Sequence, residues 1–313
     1  MARNRIQFQK GLWEARFGEF YGTEELCRAA VAGWRWPDGL VCPKCGGRLH
    51  CTLAHRGLYQ CNACHRQTSL TAGTIFDSSE VPLATWFRAM YLITQTTQGI
   101  SSIELGRKLG VTQTTAWKIK TKLAEVMRIA GDGERLEGRI EMDDVYLGGH
   151  RPAGKPGRGS PGKSPFIAAV ETTSTCKPKC IRLKRVARFK RKRITAAAKR
   201  IAVPGARVVT DGLPCFRGLA DAACIHTATR KGFRAARKPA FRALNTILGN
   251  IKSAIVGTYR AVRKKHVARY LAEFEWRFTH RFDLAGMIPD LARAAVRANP
   301  APYWYLKVAD YGA

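Results

Sequence analysis

The chain has 313 residues, more than one typical domain needs, and 45% of them are hydrophobic, so the sequence can bury two or three cores. Lys and Arg outnumber Asp and Glu 54 to 23, a formal net charge of +31 that favours nucleic acid as the partner. No run approaches the roughly 18 apolar residues of a membrane span, and the basic start MARNRIQFQK leads into no signal-peptide stretch. We therefore expect no membrane partner and a cytoplasmic, nucleoid-associated protein.

The first predicted elements are a short helix over residues 23–33 and a turn-rich, cysteine-bearing segment over 40–75. This segment holds two CxxC pairs separated by 15 residues, a spacing that lets two knuckles supply four thiolates to one tetrahedral zinc ion. The predicted zinc ligands are Cys42, Cys45, Cys61 and Cys64. Four protein thiolates leave no open position, so this zinc would be structural. The alternative is four unrelated thiols; His65 is left out because four cysteines complete the site.

Residues 82–97 and 100–128 show helical apolar spacing. In the second stretch, a helix ending near Leu109, a turn at Gly110 and a helix opening at Thr112 predict a helix-turn-helix. The side chains expected to pack are Ile103, Leu105, Leu109, Val111, Ala116 and Ile119. Those expected to contact a DNA groove or phosphates are Gln113, Thr114, Lys118 and Lys120. A plain helical hairpin is the alternative, because the same spacing packs any pair of helices.

From residue 139 the pattern changes to short strands that alternate with helices. RIEMDDVYL, PFIAAVET and CIRLKRVA predict three strands, which are followed by a helix over 192–202 and strands in ARVVTD and CIHTATR. A long helical region over 241–281 completes this α/β arrangement. The glycine-rich loop 148–163 separates the first two strands, and we expect it to be mobile without DNA.

Acidic residues occupy two of these strands. Because side chains alternate along a strand, Glu141 and Asp143 should share a face, whereas Asp144 should point the other way. Asp211 ends the apolar run ARVVT at the mouth of another strand. Two aspartates on neighbouring strands can bridge the two divalent cations that phosphodiester cleavage uses, so Asp143 and Asp211 are candidate catalytic and metal-binding residues. The alternative is an exposed strand residue and a helix N-cap ahead of Gly212.

These motifs resemble bacterial insertion-sequence transposases with an N-terminal zinc ribbon and an RNase H-like catalytic domain of the DDE type. The resemblance covers nearly the whole chain and is carried by RWPDGLVCPKCGG, YQCNACHRQTSLTAGTIF, LGVTQTTAWKI, IEMDDVYLGG, VVTDG, NTILGNIKSAIVGTY and YLAEFEWRFTHRF. It implies a multidomain α+β and α/β fold, made of the zinc ribbon, the helix-turn-helix and an RNase H-like mixed-sheet catalytic core. It also implies that Asp143 and Asp211 are the first two catalytic residues and bind Mg²⁺ (or Mn²⁺), with Asn245 and Lys252 completing an Asp-Asp-Asn-Lys set.

The third catalytic position is the most open one. Asn245 and Lys252 are seven residues apart, close to two helical turns, so they should share a helix face about 10 Å apart. An amide oxygen can ligate a metal or orient water but adds no negative charge, and Lys252 would meet a DNA phosphate. Asn245 could instead be a helix N-cap. The rivals for its role are Asn250, Glu273 and Glu275.

The expected domains are an N-terminal helix and zinc ribbon over 1–78, a helix-turn-helix over 79–130, a catalytic domain over 138–290 and a C-terminal tail over 291–313. The sequence thus predicts a transposase that binds terminal inverted repeats and catalyses Mg²⁺-dependent strand cleavage and transfer on double-stranded DNA. Holding two transposon ends against a target would require a homo-oligomer. The alternatives are a non-catalytic DNA-binding regulator derived from a transposase and a general RNase H-like nuclease.

Overall fold

The computed structural model describes residues 11–148, 163–229, 241–259 and 262–308. It forms two compact units. The first unit comprises Met1–Thr96, Ser102–Val126 and Phe282–Leu306, and the second comprises Thr97–Ser101, Met127–Arg281 and Lys307–Ala313. None of the helices in the described part of the chain is long and apolar enough to cross a membrane. The glycine-rich stretch 149–162, expected to be mobile, and residues 309–313 of the expected tail lie outside the described residues.

The first unit contains a small antiparallel sheet with the strand order β1-β2-β3. The strands are β1 (His50–Leu53), β2 (Leu58–Cys61) and β3 (Gln67–Ser69). Gly57 turns the chain between β1 and β2 with a φ of 62°, a left-handed conformation that glycine adopts at little cost. This sheet belongs to the cysteine-bearing segment and confirms the predicted ribbon.

Helices surround the ribbon segment in the sequence of this unit: α1 (Glu14–Tyr21), α2 (Glu24–Arg35) and α3 (Leu83–Thr94). Glu24 begins α2 and caps α3, because its carboxylate accepts hydrogen bonds from the backbone N–H groups of Leu83, at 3.1 Å, and Ala84, at 2.8 Å. These bonds satisfy N–H groups that the first turn of a helix leaves without partners. The Glu24 carboxylate therefore connects the first turn of α2 to the first turn of α3, which is distant in the sequence.

Two further helices come from the C-terminal part of the chain, α9 (Met287–Arg297) and α10 (Tyr303–Val308). α9 packs against α2 and α3, and residues 282–306 belong to the first unit. The segment expected as a tail from residue 291 therefore contains packed helices up to the end of the described chain. The apolar face of α9, including the fully buried Ile288 and Leu291, explains this packing.

The predicted helix pair is α4 (Ser102–Leu109) and α5 (Gln113–Asp132). Gly110 lies in the turn with a φ of 67°, and Leu105, Ala116 and Ile119 are buried as expected. Ile103 departs from the prediction, because 56% of this residue is exposed. It lies two residues before Leu105, or about 200° around the helix, which places it opposite the packed face.

The second unit is built on a five-stranded sheet with the order β6-β5-β4-β7-β8. The strands are β4 (Arg139–Leu147), β5 (Ser164–Thr172), β6 (Pro178–Arg185), β7 (Arg207–Thr210) and β8 (Ile225–Ala228). β4, β5 and β6 are antiparallel neighbours, whereas β7 is parallel to β4 and to β8. This mixed sheet confirms the predicted fold class.

Both faces of the sheet are covered. α6 (Arg191–Ile201) and the 3-10 helix Pro214–Ala222 share one core with Ile140 and Met142 of β4. α7 (Arg242–Tyr259) and α8 (Val267–Thr279) share the other core with Val145 and Leu147. The two cores use even and odd positions of β4, as strand alternation requires.

Candidate functional site

Three carboxylates meet where β4 and β7 run side by side. Asp143 and Asp144 lie within β4, and Asp211 directly follows β7. The parallel register pairs Glu141 with Val209, so two residues further along both strands Asp143 comes beside Asp211. One carboxylate oxygen of each aspartate lies within 4.8 Å of those of the other two, and all three residues are half-buried. We call Asp143, Asp144 and Asp211 the aspartate cluster.

Asp144 was expected to point away from Asp143, yet its carboxylate joins the cluster. Its backbone position is the expected one, since Met142 on the same face packs in the α6 core. The paired register of β4 with β7 runs from Arg139 to Glu141, because β7 itself ends at Thr210. Adjacent Cα atoms are only about 3.8 Å apart, so both short aspartate side chains can reach towards Asp211 beyond the end of β7. The sequence analysis missed Asp144, although the Asp-Asp pair itself was a visible signal.

Local backbone bonds orient two of the three carboxylates. Asp143 Oδ1 accepts a hydrogen bond of 2.9 Å from the backbone N–H of Asp144. Asp211 Oδ1 accepts one of 3.1 Å from the backbone N–H of Leu213, across a turn in which Gly212 has a φ of 81°. Asp211 therefore closes a turn with its own loop, which helps to hold its carboxylate in the cluster.

Glu141 lies on the expected face but serves a different purpose. It is fully buried, forms an ion pair of 2.8 Å with Arg139 and accepts a hydrogen bond of 3.4 Å from the backbone N–H of Leu244 in the first turn of α7. Burial raises the pKa of its carboxyl above the ordinary value, although Arg139 opposes this shift. Glu141 thus attaches the start of α7 to β4 close to Asp143.

Asn245 and Lys252 are exposed residues of α7. Asn245 follows Leu244, so the bond between Leu244 and Glu141 places it near the aspartate-bearing part of β4. The alternative of a helix N-cap is wrong, because α7 already begins at Arg242. Asn250 is five residues beyond Asn245, about 140° around the helix, and therefore lies on another face.

The two downstream glutamates make contacts away from the aspartate cluster. Glu273 is buried, accepts a hydrogen bond of 2.9 Å from the Tyr259 hydroxyl and lies 3.8 Å from Arg277. Glu275 accepts a hydrogen bond of 2.7 Å from the backbone N–H of Leu183 in β6, two strands away from β4 in the sheet. Among the described residues, the carboxylates close to Asp143 and Asp211 do not include Glu273 or Glu275.

The aspartate cluster fits a divalent cation by the chemistry of its donors. Carboxylate oxygens are the ligands that Mg²⁺ and Mn²⁺ prefer, and three of them from two strands converge here. Three carboxylates this close also repel one another, an unfavourable energy that a bound cation reverses. Asp143, Asp144 and Asp211 are therefore the residues that would hold such a metal.

The four predicted zinc ligands, which we call the cysteine cluster, meet in the ribbon of the first unit. Their sulfurs lie 3.5 Å apart for Cys42 and Cys64 and 3.6 Å apart for Cys45 and Cys61. A tetrahedral zinc with bonds of 2.3 Å places its sulfurs roughly 3.8 Å apart, whereas a disulfide would need roughly 2 Å. The donor set therefore fits a structural zinc.

Backbone groups prepare this site for thiolates. Backbone N–H groups of Lys44 and Cys45 donate to the Cys42 sulfur and lower the pKa of its thiol to about 6. A Cβ at Gly47 would lie 3.3 Å from the Cys45 sulfur and 3.4 Å from the Cys61 sulfur, so the glycine leaves room for the ligands. His65 follows the cluster as an exposed residue with a φ of 57° and is not grouped with it.

Three of the four predicted DNA-contacting residues share the exposed surface of α5: Gln113, Thr114 and Lys118. Gln113 donates a hydrogen bond of 3.0 Å to the Ser102 hydroxyl of α4, and the Lys118 amine lies 5.3 Å from the centre of the Tyr303 ring. Lys120 was expected to contact DNA as well, but it is only 5% exposed and does not lie on this surface. It lies about 200° around the helix from Lys118 and therefore faces the packed side.

Comparison with known proteins places both sites within matched regions. A family model described as the ISXO2-like transposase domain matches residues 135–279, and one described as the transposase zinc-ribbon domain matches residues 22–67. Together the two models cover more than half of the chain. They include the aspartate cluster and the cysteine cluster, respectively.

A Halobacterium salinarum protein described as an uncharacterized protein in transposable element ISH50 is 28% identical over 130 residues. The match covers 40% of this chain and 42% of that relative, so the chain spans less than half the length of the curated relative it matches. Solved structures of a pre-cleavage Mos1 transpososome and of the Mos1 strand transfer complex are 12% and 9% identical, covering 64% and 63% of this chain and 74% and 76% of theirs. Their TM-score of 0.24 is too low to support a conclusion about this chain.

Proposed function

Because this chain belongs to the insertion-sequence transposases with an N-terminal zinc ribbon, we propose that it is a DNA transposase of the DDE type. It binds the terminal inverted repeats of its element and catalyses Mg²⁺-dependent (or Mn²⁺-dependent) strand cleavage and strand transfer. The observation that supports this proposal best is the convergence of Asp143, Asp144 and Asp211 at the β4–β7 edge, within the matched transposase domain.

Each site residue has a separate role in the proposed reaction. Asp143 and Asp211, with Asp144 beside them, hold the metals, which when bound activate the attacking oxygen and stabilise the leaving oxygen of a phosphodiester. Asn245 orients water or the scissile phosphate through its amide, and Lys252 neutralises a DNA phosphate on the same side of α7. Hydrolysis by water frees a 3′-hydroxyl. This hydroxyl loses its proton and attacks a phosphodiester of target DNA, whose own 3′-oxygen leaves and takes up a proton, so no covalent intermediate with the protein forms.

DNA is bound by the first unit. Gln113, Thr114 and Lys118 form an exposed polar face at the start of α5, the part of a helix-turn-helix that enters the major groove. The ribbon, which a structural zinc would hold, contributes basic residues of its own. Cutting two element ends in one reaction requires at least two copies of the chain, so we expect a homo-oligomer on DNA.

The test is Mg²⁺-dependent nicking of a labelled DNA that carries one element end. Asp143→Ala and Asp211→Ala should each lower the nicking rate by at least about a hundredfold while leaving DNA binding unchanged, since each removes a carboxylate from the metal site. The matched control is Asp221→Ala, an exposed carboxylate of the same unit that pairs with Arg191 at 2.7 Å. Wild-type rates in both cluster variants would refute the assignment.

The same assay separates the other candidates. Binding without any cleavage by the wild-type protein would indicate a DNA-binding regulator, and cleavage without preference for the element end would indicate a general nuclease. Asn245→Ala and Asn250→Ala form a second matched pair on α7. If Asn245 fills the third position, only its substitution lowers the cleavage rate.

A further inference from the structure

A cavity of about 280 Å³ lies in the second unit, along the free edge of β6. The ends of α5 and α6 and the middle of α8 complete its wall. Its apolar lining consists of Leu183, Ile201, Ala268 and Ala272. The aspartate cluster is not part of this lining. The cavity is therefore a concave site of the second unit, separate from the aspartate cluster, and the proposed cleavage reaction does not use it.

Positive charge is in excess around this cavity. The cationic side chains that line it are Arg128, Arg182, Lys184, Arg185 and Arg200. Among the described residues, the carboxylates that line it are Asp132 and Glu275, and Glu134 adds a third through its ion pair of 2.5 Å with Arg182. Five cationic groups around three carboxylates favour an anionic ligand.

The lining groups are held in place by one another. Asp132 pairs with Arg128 at 2.8 Å and with Lys184. Glu275 lies 3.4 Å from Arg182 and accepts the Leu183 N–H bond already described. Gly131 allows this approach, because a Cβ there would lie 2.7 Å from the Glu275 carboxylate. The acids of the cavity thus have basic partners, and Arg200 adds positive charge at the end of α6.

We propose that this cavity binds a nucleoside phosphate. Guanidinium groups bind phosphate through paired, charge-assisted hydrogen bonds, and Arg200 is the group that would do so here. The apolar wall formed by Leu183, Ile201 and Ala268 receives the sugar and base. The nucleotide is either free in solution or part of a DNA strand, and both sources present the same chemistry. This binding is independent of the proposed cleavage, because it uses neither the aspartate cluster nor a metal.

The test uses the full-length protein in buffer without divalent cations, so a failure of the cleavage proposal does not affect it. One arm measures dAMP binding by isothermal titration, and the other measures binding of a fluorescein-labelled thymidine tetranucleotide by anisotropy. Arg200→Gln should weaken binding about tenfold, the effect of losing a hydrogen bond to a charged group. Ala268→Leu fills the cavity without changing its charge and should weaken binding similarly.

The matched control is Lys199→Gln, which removes an exposed charge from the same helix but from outside the cavity lining. It should change either affinity by less than about twofold. Binding of dAMP that both cavity variants weaken identifies a free nucleotide, and an effect confined to the tetranucleotide identifies a DNA strand. The proposal is overturned if the wild-type protein binds neither probe, or if Arg200→Gln and Lys199→Gln weaken binding equally.

Discussion

Asp144 is the residue whose position changes the chemistry of the candidate site most. With Asp143 and Asp211 alone, an Asp-Asp-Asn set brings two negative charges to its metals, whereas Asp144 adds a third. In the proposed set, this additional charge would compensate for the neutral amide of Asn245, an exposed residue of α7. The aspartate cluster therefore brings three carboxylates together, although the third comes from an adjacent residue.

We predict that Asp144→Asn weakens Mn²⁺ binding about tenfold, as is usual when a group beside a metal ligand is changed. The affinity can be measured by titration with the electron paramagnetic resonance signal of free Mn²⁺. Asp221→Asn is the control, because it removes an exposed carboxylate of the same unit. An unchanged Mn²⁺ affinity in Asp144→Asn would show that only Asp143 and Asp211 hold the metal.

Glu275 gives a second prediction at the scale of one residue. Burial raises the pKa of its carboxyl to about 7, although Arg182 opposes the shift. A carboxyl with a raised pKa binds its proton more tightly in the folded state, so its stabilising contribution is complete below the unfolded pKa of about 4.5 and is lost as the pH rises through 7.

The free energy of unfolding of the wild-type protein should therefore fall between pH 5 and pH 7. In Glu275→Gln this contribution to the decrease should be absent. The expected slope is on the order of 1 kcal/mol per pH unit. Urea unfolding of both proteins across this range measures it, and the difference between them isolates Glu275 from the other carboxyls. Parallel pH profiles would contradict the raised pKa.

At the scale of elements, the ribbon depends on its metal more than on its strands. β1, β2 and β3 have only three or four residues each, and most of their side chains are exposed or half-buried. Such a sheet buries too little apolar surface to be stable alone, and a structural zinc at the cysteine cluster would supply the missing free energy.

Cys61→Ser should therefore abolish zinc retention and unfold the ribbon, since Cys61 ends β2 and belongs to the cysteine cluster. Cys51→Ser is the matched control, because Cys51 is an exposed residue of β1 outside the cluster. Zinc content by atomic absorption and proteolysis of residues 40–75 measure the two effects. Equal zinc content in both variants would contradict the four-cysteine site.

For the molecule as a whole, the net charge of +31 is expected to contribute most to its affinity for a polyanion. Binding that releases counterions from DNA weakens steeply as salt increases, with a slope of about 0.9 per phosphate contacted. We expect a steep salt dependence for binding of an element end.

Lys118→Gln should lower this slope by about one unit if Lys118 contacts a phosphate, and Lys118→Arg should restore it because the charge returns. Fluorescence anisotropy of a labelled element end at several salt concentrations measures the slope. Slopes that are identical in wild type and Lys118→Gln would remove this residue from the DNA interface.

The features that depend on residue type and local spacing could be predicted from the amino-acid sequence. Two CxxC pairs identify the cysteine cluster, because few other arrangements place four thiols at this separation. Alternating apolar runs gave the strands of the mixed sheet, and the helical spacing around Gly110 gave the α4–α5 pair. Asp143 and Asp211 could be predicted from the sequence as a pair of site residues, because Asp143 interrupts one apolar strand and Asp211 ends another.

Features that depend on contacts between distant residues become visible only in the folded chain. Asp144 joins Asp143 and Asp211 beyond the end of β7, which alternation along a single strand cannot show. Packing buries Lys120, although lysine usually lies at the surface. The Glu275 carboxylate accepts a hydrogen bond from the backbone of β6, which the sequence does not indicate. Local pattern fixes which residues can share a face, whereas burial and proximity depend on which elements the fold brings against that face.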